Sequence, residues 1–312
     1  MQAKSCRQGQ CRGKAAPHSP FIPHPALNSK HLLRCASPQA TSSSAQGSPS
    51  QVVVRIPESK EEAITDAVRA ATTQLQPQAK SKGFSKGGGG RQYCLCIDLP
   101  IASEGVEDVA DLGKRVSLEI THKLNTPCTV VFADEQAAEA CLREGKSRSV
   151  AIMHLREACR KPMLSGGVLV IVAPKIADVA LCDQLVQEVW TGSGALLVNS
   201  EFAVTPLTEA SSDLQPFLQS LATVYAFQPV AVKGLLGNME GAVLKRVESG
   251  DPGATPYKML KQVKGEFVQI GQSLKRPDND DLEATFINAS AAQSPLTKAA
   301  RAIRGVFSKD KK

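Results

Sequence analysis

Four polar residues stand directly behind apolar runs: Asp98 after Cys94-Leu95-Cys96-Ile97, Asp134 after Thr129-Val130-Val131-Phe132-Ala133, Lys175 after Val168 to Pro174, and Asn199 after Leu196-Leu197-Val198. In open α/β sheets, ligands sit at the carboxyl ends of the strands. Two carboxylates and a lysine at such ends are the groups that would hold a metal and a phosphate, with Asn199 as a polar neighbour. The chemistry this raises is nucleotide or phosphometabolite binding. Each residue also has a local reading. Asp134 precedes Glu135-Gln136-Ala137 and suits a helix N-cap. Asp98 precedes Leu99-Pro100 and suits a turn. Lys175 follows Pro174 and suits a solvated position.

Other reactive constellations are missing from the sequence. No G-x-S-x-G nucleophile elbow occurs, and neither His122 nor His154 has a sequence-local partner for a triad. The cysteines beyond residue 50 are Cys94, Cys96, Cys128, Cys141, Cys159 and Cys182, without a C-x-x-C pair. That spacing suits neither a zinc ribbon nor a thioredoxin-like site. Cys94 and Cys96 share one face of a strand at about 6.6 Å, badly aimed for a disulfide, so buried thiols are expected. Gly87-Gly88-Gly89-Gly90 precedes a strand, whereas phosphate loops follow a strand and open a helix. The Lys/Gly-rich stretch 78–91 therefore reads as a flexible surface insertion. No catalytic residue, cofactor or metal is indicated.

The elements that must position these residues alternate. After an extended run ending at Pro57, an acidic start at Glu58 opens a helix with Ala63, Ile64, Ala67, Val68 and Ala71 on one side and Pro77 beyond its end. Strands are expected at Gln92–Leu99, Thr129–Ala133, Ser149–Leu155, Gly167–Ala173 and Ala195–Val198, with helices at Glu104–Leu124, Glu135–Arg143 and Ile176–Val189 between them. The apolar, β-branched run Gly167–Ala173 reads as a central parallel strand. After Leu221 the rhythm changes to strands at Thr223–Val232, Gly241–Glu248 and Glu266–Gln272, followed by a helix at Asp278–Asn288. The pattern predicts an α/β domain over 52–290, with a mostly parallel twisted sheet, helices on both faces and an antiparallel C-terminal extension.

Charge divides the chain of 312 residues, whose net is +7. Residues 1–50 hold six Lys/Arg and no acid, residues 51–295 hold 25 basic against 29 acidic, and residues 296–312 hold six basic and one acidic. A slightly acidic body with 4% aromatic residues is a poor partner for a phosphate backbone and offers little for bases to stack on, so nucleic acid is not expected. The acid-free, Ser- and Pro-rich first fifty residues have transit-peptide composition, and their prolines favour a chloroplast address with cleavage near Ala36. The longest purely apolar run, Val168 to Ala173, is far shorter than the roughly 20 residues of a spanning helix. At ~100° per residue, Leu296, Ile303 and Phe307 share one arc with Ala299, Ala300 and Val306, while Lys298, Arg301 and Arg304 occupy the other side. This 294–312 segment predicts a basic amphipathic helix that lies on an anionic membrane surface or docks on the domain.

The order of elements also resembles a known family. The features are Ile56-Pro57 before an acidic Ala-rich helix, Gly166-Gly167-Val168-Leu169-Val170-Ile171-Val172-Ala173-Pro174, Leu196-Leu197-Val198-Asn199, Val224-Tyr225-Ala226-Phe227-Gln228-Pro229, and Gly250-Asp251-Pro252 leading to Glu266–Gln272. They are similar to the plant and algal chloroplast family of unknown function numbered nineteen-ninety-five, which includes a protein named for low photosystem II accumulation. Here Ser200 follows the asparagine where many relatives have Pro, and Tyr257 stands near the place of a relatives' Trp. The resemblance implies a non-enzymatic stromal factor that binds a protein partner of a thylakoid complex or its assembly machinery, peripheral to the thylakoid. Fusion of the domain to an adenylate kinase in some relatives implies the alternative, an enzyme linked to adenylate metabolism.

Overall fold

Runs of consecutive apolar residues bury both sides of a strand only when helices cover both faces of the sheet. In the computed structural model, which describes residues 52–80, 94–100, 105–143, 145, 149–204, 212–234 and 237–293, these runs form β1 (Cys94–Asp98), β2 (Cys128–Phe132), β3 (Val150–His154), β4 (Val168–Val172) and β5 (Gly194–Val198). Every residue of β2, β4 and β5 is buried. The strands β6 (Leu221–Gly234), β7 (Gly237–Arg246), β8 (Tyr257–Val263) and β9 (Glu266–Ser273) complete one nine-stranded sheet in the order β3-β2-β4-β5-β1-β6-β7-β8-β9. Pairing is parallel from β3 to β6 and antiparallel from β6 to β9.

The helices divide between the faces. On one side, α1 (Lys60–Lys80), α2 (Val106–Leu124) and α3 (Glu135–Arg143) pack on Leu95, Val130, Val170 and Leu196. The α2 stripe Leu112, Val116 and Ile120 is buried at helical spacing. The opposite face carries α4 (Leu155–Cys159), α5 (Val179–Gln184), α6 (Glu201–Val204) and α7 (Gln215–Gln219), packed with Cys94, Cys96, Val131, Leu169 and Leu197. Cys94 and Cys96 thus share a face and are buried free thiols, and burial pushes the Cys96 thiol up to about 12. Beyond them α8 (Asn279–Gln293) covers the antiparallel part through Leu282 against Ala226, Val243, Tyr257 and Met259. Gly241 lets α8 approach: a Cβ there would stand 2.1 Å from the Leu260 carbonyl oxygen and 2.4 Å from the Phe286 ring.

The structure adds the short helices α4, α6 and α7 to the expected elements and departs from them in three further places. The strand β8 was not expected, because Lys258, Lys261 and Gln262 interrupt its apolar pattern and its register with β9 shifts between Met259 and Leu260. Helix α1 runs on through Pro77 to Lys80, although Pro77 offers no N–H to the Thr73 carbonyl. The helix expected over Ile176–Val189 is three pieces: a 3-10 turn (Ile176–Asp178), α5, and a π-turn (Leu185–Val189) closed by Trp190 N–H donating to the Leu185 carbonyl at 2.8 Å. The wide turn seats Trp190 beside Gly192, where a Cβ would come within 2.1 Å of the indole. Outside the strands named above, Val52 to Val54 lie antiparallel along β9, with Val54 N–H on the Phe267 carbonyl at 2.8 Å and Gln269 N–H on the Val52 carbonyl at 3.0 Å.

Among the described residues no helix is long and apolar enough to cross a membrane. The first fifty residues and the expected C-terminal helix with Leu296, Lys298, Arg301, Ile303, Arg304 and Phe307 lie outside the described residues, as does the 78–91 stretch beyond Lys80.

Candidate functional site

Chain direction reverses at two places along the parallel sheet. From β1 the chain crosses towards β2, while from β5 it crosses the other way to β6, so the carboxyl ends of the neighbours β1 and β5 form a topological switch point, the place where such sheets have a crevice. A second reversal separates β2, which leads outward to β3, from β4, which leads to β5. These are the positions at which doubly wound sheets take ligands. Asp98 and Asn199 stand at the first crevice; Asp134 and Lys175 stand at the second. Three strand intervals separate Asp98 from Asp134, which at about 4.8 Å each is roughly 14 Å. Asp98 and Asp134 therefore do not share one small ion, while Lys175 and Asn199 stand between them at the ends of the neighbours β4 and β5, where Glu201 N–H donates to the Pro174 carbonyl at 3.0 Å.

At the first crevice Asn199 adopts φ 51, a left-handed conformation that Asn tolerates better than most residues. Its carboxamide oxygen accepts from Leu99 N–H at 2.8 Å and its amide N–H donates to the Leu99 carbonyl at 2.9 Å. Asp98 Oδ2 lies 2.6 Å from Arg276, which arrives from the segment before α8 and also donates to Gln228 Oε1 at 2.9 Å. Next to Asn199, Ser200 is buried and its hydroxyl has no hydrogen-bond partner among the described residues.

At the second crevice Asp134 Oδ1 accepts from Gln136 N–H at 2.7 Å and caps α3. Lys175 is exposed, and its main-chain N–H donates to Asp178 Oδ2 at 3.0 Å. His154 Nε2 lies 3.1 Å from the Ala133 carbonyl, and His122 sits in the last turn of α2. Among the described residues no group of three or more His, Cys, Asp or Glu is arranged to hold a metal ion.

The antiparallel extension supplies what sequence reasoning did not find. Register aligns Asp98 with Ala226 and Ala226 with Lys245, so Lys245 continues the row from the first crevice outward on the same face. Lys245 is 4% exposed, and its Nζ lies 4.7 Å from the centroid of the buried Tyr257 ring. Burial lowers the Lys245 pKa against the opposing pull of Asp251. Burial raises that of Tyr257, while the Thr223 hydroxyl and the Arg276 charge oppose the rise. The row from Asn199 through Asp98 and Arg276 to Lys245 and Tyr257 thus carries one carboxylate and two cations. The sequence signal for it was a lysine at the same alternation as Val243, on the inward face of a strand.

Chemically the row can position an acidic or hydrogen-bonding group. The groups expected to activate a ligand are bonded to the chain itself: Asn199 to Leu99, Asp98 to Arg276, Asp134 to α3. No curated protein matches this chain. A family model matches residues 57–284, from Pro57, three residues ahead of α1, into α8, and the chain belongs to that family, described as Domain of unknown function (DUF1995).

Proposed function

We propose that this protein is a non-enzymatic chloroplast factor whose folded domain binds a protein partner and supports accumulation of a photosystem II-like complex at the thylakoid. One observation carries the reading: at the carboxyl-end crevice both polar groups of Asn199 and the carboxylate of Asp98 engage the chain rather than open space. Asn199 locks the ends of β1 and β5 and Asp98 ties β1 to the segment before α8, which supports a fixed surface rather than a reacting group. The transit-like composition of residues 1–50 and the basic amphipathic pattern of residues 296–312 support the plastid address and a reversible contact with an anionic thylakoid surface. Family membership by itself assigns no activity.

Affinity purification from illuminated chloroplasts tests this reading. Subunits or assembly proteins of one thylakoid complex should be enriched over a control bait, and a chain lacking residues 296–312 should lose its salt-releasable membrane fraction. Absence of any enriched thylakoid protein contradicts the proposal.

A second reading, a nucleotide- or phosphometabolite-binding enzyme, is favoured by the partnerless buried hydroxyl of Ser200 at the same crevice. Ligand at 100 times Kd should add ~2.7 kcal/mol of stability. A thermal shift with ATP or a phosphorylated metabolite that Asp98→Ala and Ser200→Ala both abolish would decide for the enzyme.

A further inference from the structure

On the face of the sheet that carries α1, opposite the face of Lys245, a cleft of about 550 Å³ opens between α1, the 52–56 segment and the end of β7. That volume is within the ~300–1,000 Å³ range of small-ligand sites. Its charged lining is Arg55, Arg69 and Arg246 with Glu61, Glu62 and Asp66. The carboxylates are occupied. Asp66 Oδ1 meets Arg69 at 3.3 Å and Oδ2 meets Arg246 at 3.0 Å. Glu62 Oε1 accepts from Arg55 at 2.7 Å and Oε2 from Glu58 N–H at 2.9 Å. Glu61 Oε1 accepts from Arg115 at 3.0 Å. The Glu58 N–H holds Glu62 below the usual carboxylate range despite some desolvation.

Donors, by contrast, are in surplus. A guanidinium presents a fork of N–H groups, and among the described residues Arg55 and Arg69 each touch a single carboxylate, while Arg246 adds only a 3.5 Å contact to Glu248. Beneath them lies Tyr225, fully buried, whose hydroxyl has no partner among the described residues. Tyr225 is the direct cross-strand partner of Arg246. Burial is the main cause that raises its pKa; Asp66 and Glu62 add to the rise and Arg246 opposes it, all three lining the cleft. The phenol therefore sits under the Arg246 wall of the cleft, beneath its lining residues rather than among them, with a donor unused among the described residues, at the cost that an unmade buried hydrogen bond carries. A site whose acceptors are filled and whose donors are free fits a ligand made of acceptors.

We propose that this cleft binds a small oxyanion, a carboxylate or a phosphate, clamped by Arg246, Arg69 and Arg55 and reached from below by the Tyr225 hydroxyl. The cleft shares no lining residue with the row of Asp98 and Asn199, so the site stands or fails apart from the function proposed above. Each neighbouring carboxylate is already matched by a cation it touches, and a planar oxyanion can accept two parallel N–H bonds from a guanidinium.

Calorimetric titration of the full chain with inorganic phosphate and, separately, succinate at low salt tests the proposal, with sodium chloride at equal ionic strength as control. The expected result is saturable binding of at least one probe, which identifies the oxyanion class. Arg246→Gln should weaken it by about tenfold or more. Arg69→Gln, on an exposed side chain, serves the same purpose if loss of Arg246 prevents folding. Tyr225→Phe should weaken binding several-fold while leaving the Tm of the unliganded protein unchanged or higher, because it deletes a partnerless buried hydroxyl. A merely structural tyrosine would leave affinity untouched. Failure of both probes to saturate, or wild-type affinity in Tyr225→Phe or in the arginine variants, overturns the proposal.

Discussion

Asn199 grips Leu99 twice, accepting from its N–H at 2.8 Å and donating to its carbonyl at 2.9 Å, so that a side chain at the end of β5 imitates one rung of a strand ladder for the end of β1. The asparagine does this from φ 51. One residue type therefore meets two demands at once: tolerance of the left-handed region and a side chain with both a donor and an acceptor.

Asn199→Ala should lose both bonds and place alanine in a disfavoured conformation, costing about 2–3 kcal/mol of stability. Urea unfolding measures it, with the slope unchanged. A loss under about 0.5 kcal/mol would mean that the ends of β1 and β5 hold together without the clamp.

Asp98 and Arg276 are 22% and 18% exposed at their side chains, against 64% and 45% for Glu61 and Arg115. A double-mutant cycle with Asp98→Asn and Arg276→Gln should return a coupling of about 1 kcal/mol, and the equivalent cycle at Glu61 and Arg115 a value near zero. Equal couplings at the two pairs would contradict the ranking by burial.

Lys245 gives the pH dependence a direction. Burial lowers its folded-state pKa, so between that lowered value and the ordinary lysine value the unfolded chain binds more protons than the folded one. Stability attributable to this residue therefore rises with pH across that window, and below it the folded protein carries the whole penalty of a buried ammonium. Lys245→Met should be more stable than wild type at neutral pH, with the advantage shrinking as pH climbs through the folded pKa. Thermal unfolding from neutral to alkaline pH reads both effects. A less stable Met variant would show that the contact with Tyr257, at 4.7 Å, outweighs desolvation.

Gly241→Ala should destabilise by about 3 kcal/mol or more, since the new methyl group meets a strand carbonyl and an aromatic ring of α8 at once. The damage should centre on α8, visible as faster amide exchange at Leu282 and Phe286. Uniform loss across the sheet would place the strain in the β7–β8 pairing instead.

The parallel half of the fold was legible because β2, β4 and β5 are buried at every position, and only a doubly covered sheet turns that into a continuous apolar run. Asp98 and Asn199 were legible for the same reason: a polar residue that ends such a run marks a carboxyl edge. What local pattern does not encode is which strand lies beside which. The alignment of Asp98, Ala226 and Lys245 depends on β6 pairing with both β1 and β7, so the row reaching Lys245 and Tyr257 was invisible. Arg276 was missed because it comes from the segment before α8, far along the chain. The strand β8 hid behind its lysines, one of which, Lys261, reaches α8 and donates to the Ser290 hydroxyl at 2.8 Å. Pro77 misled because proline commonly stops a helix, and α1 absorbs it near its end.

The three residues Val52 to Val54 do more than begin the described chain. Laid along β9, they occupy hydrogen-bonding groups that a bare edge strand would offer to any second molecule. Trimming that stops ahead of Val52 leaves this guard in place. A cut past Val54 strips it away and uncovers the Gln269 N–H and the Phe267 carbonyl as a template for unwanted pairing. The point at which the chain is trimmed thus sets how well its molecules tolerate one another when crowded.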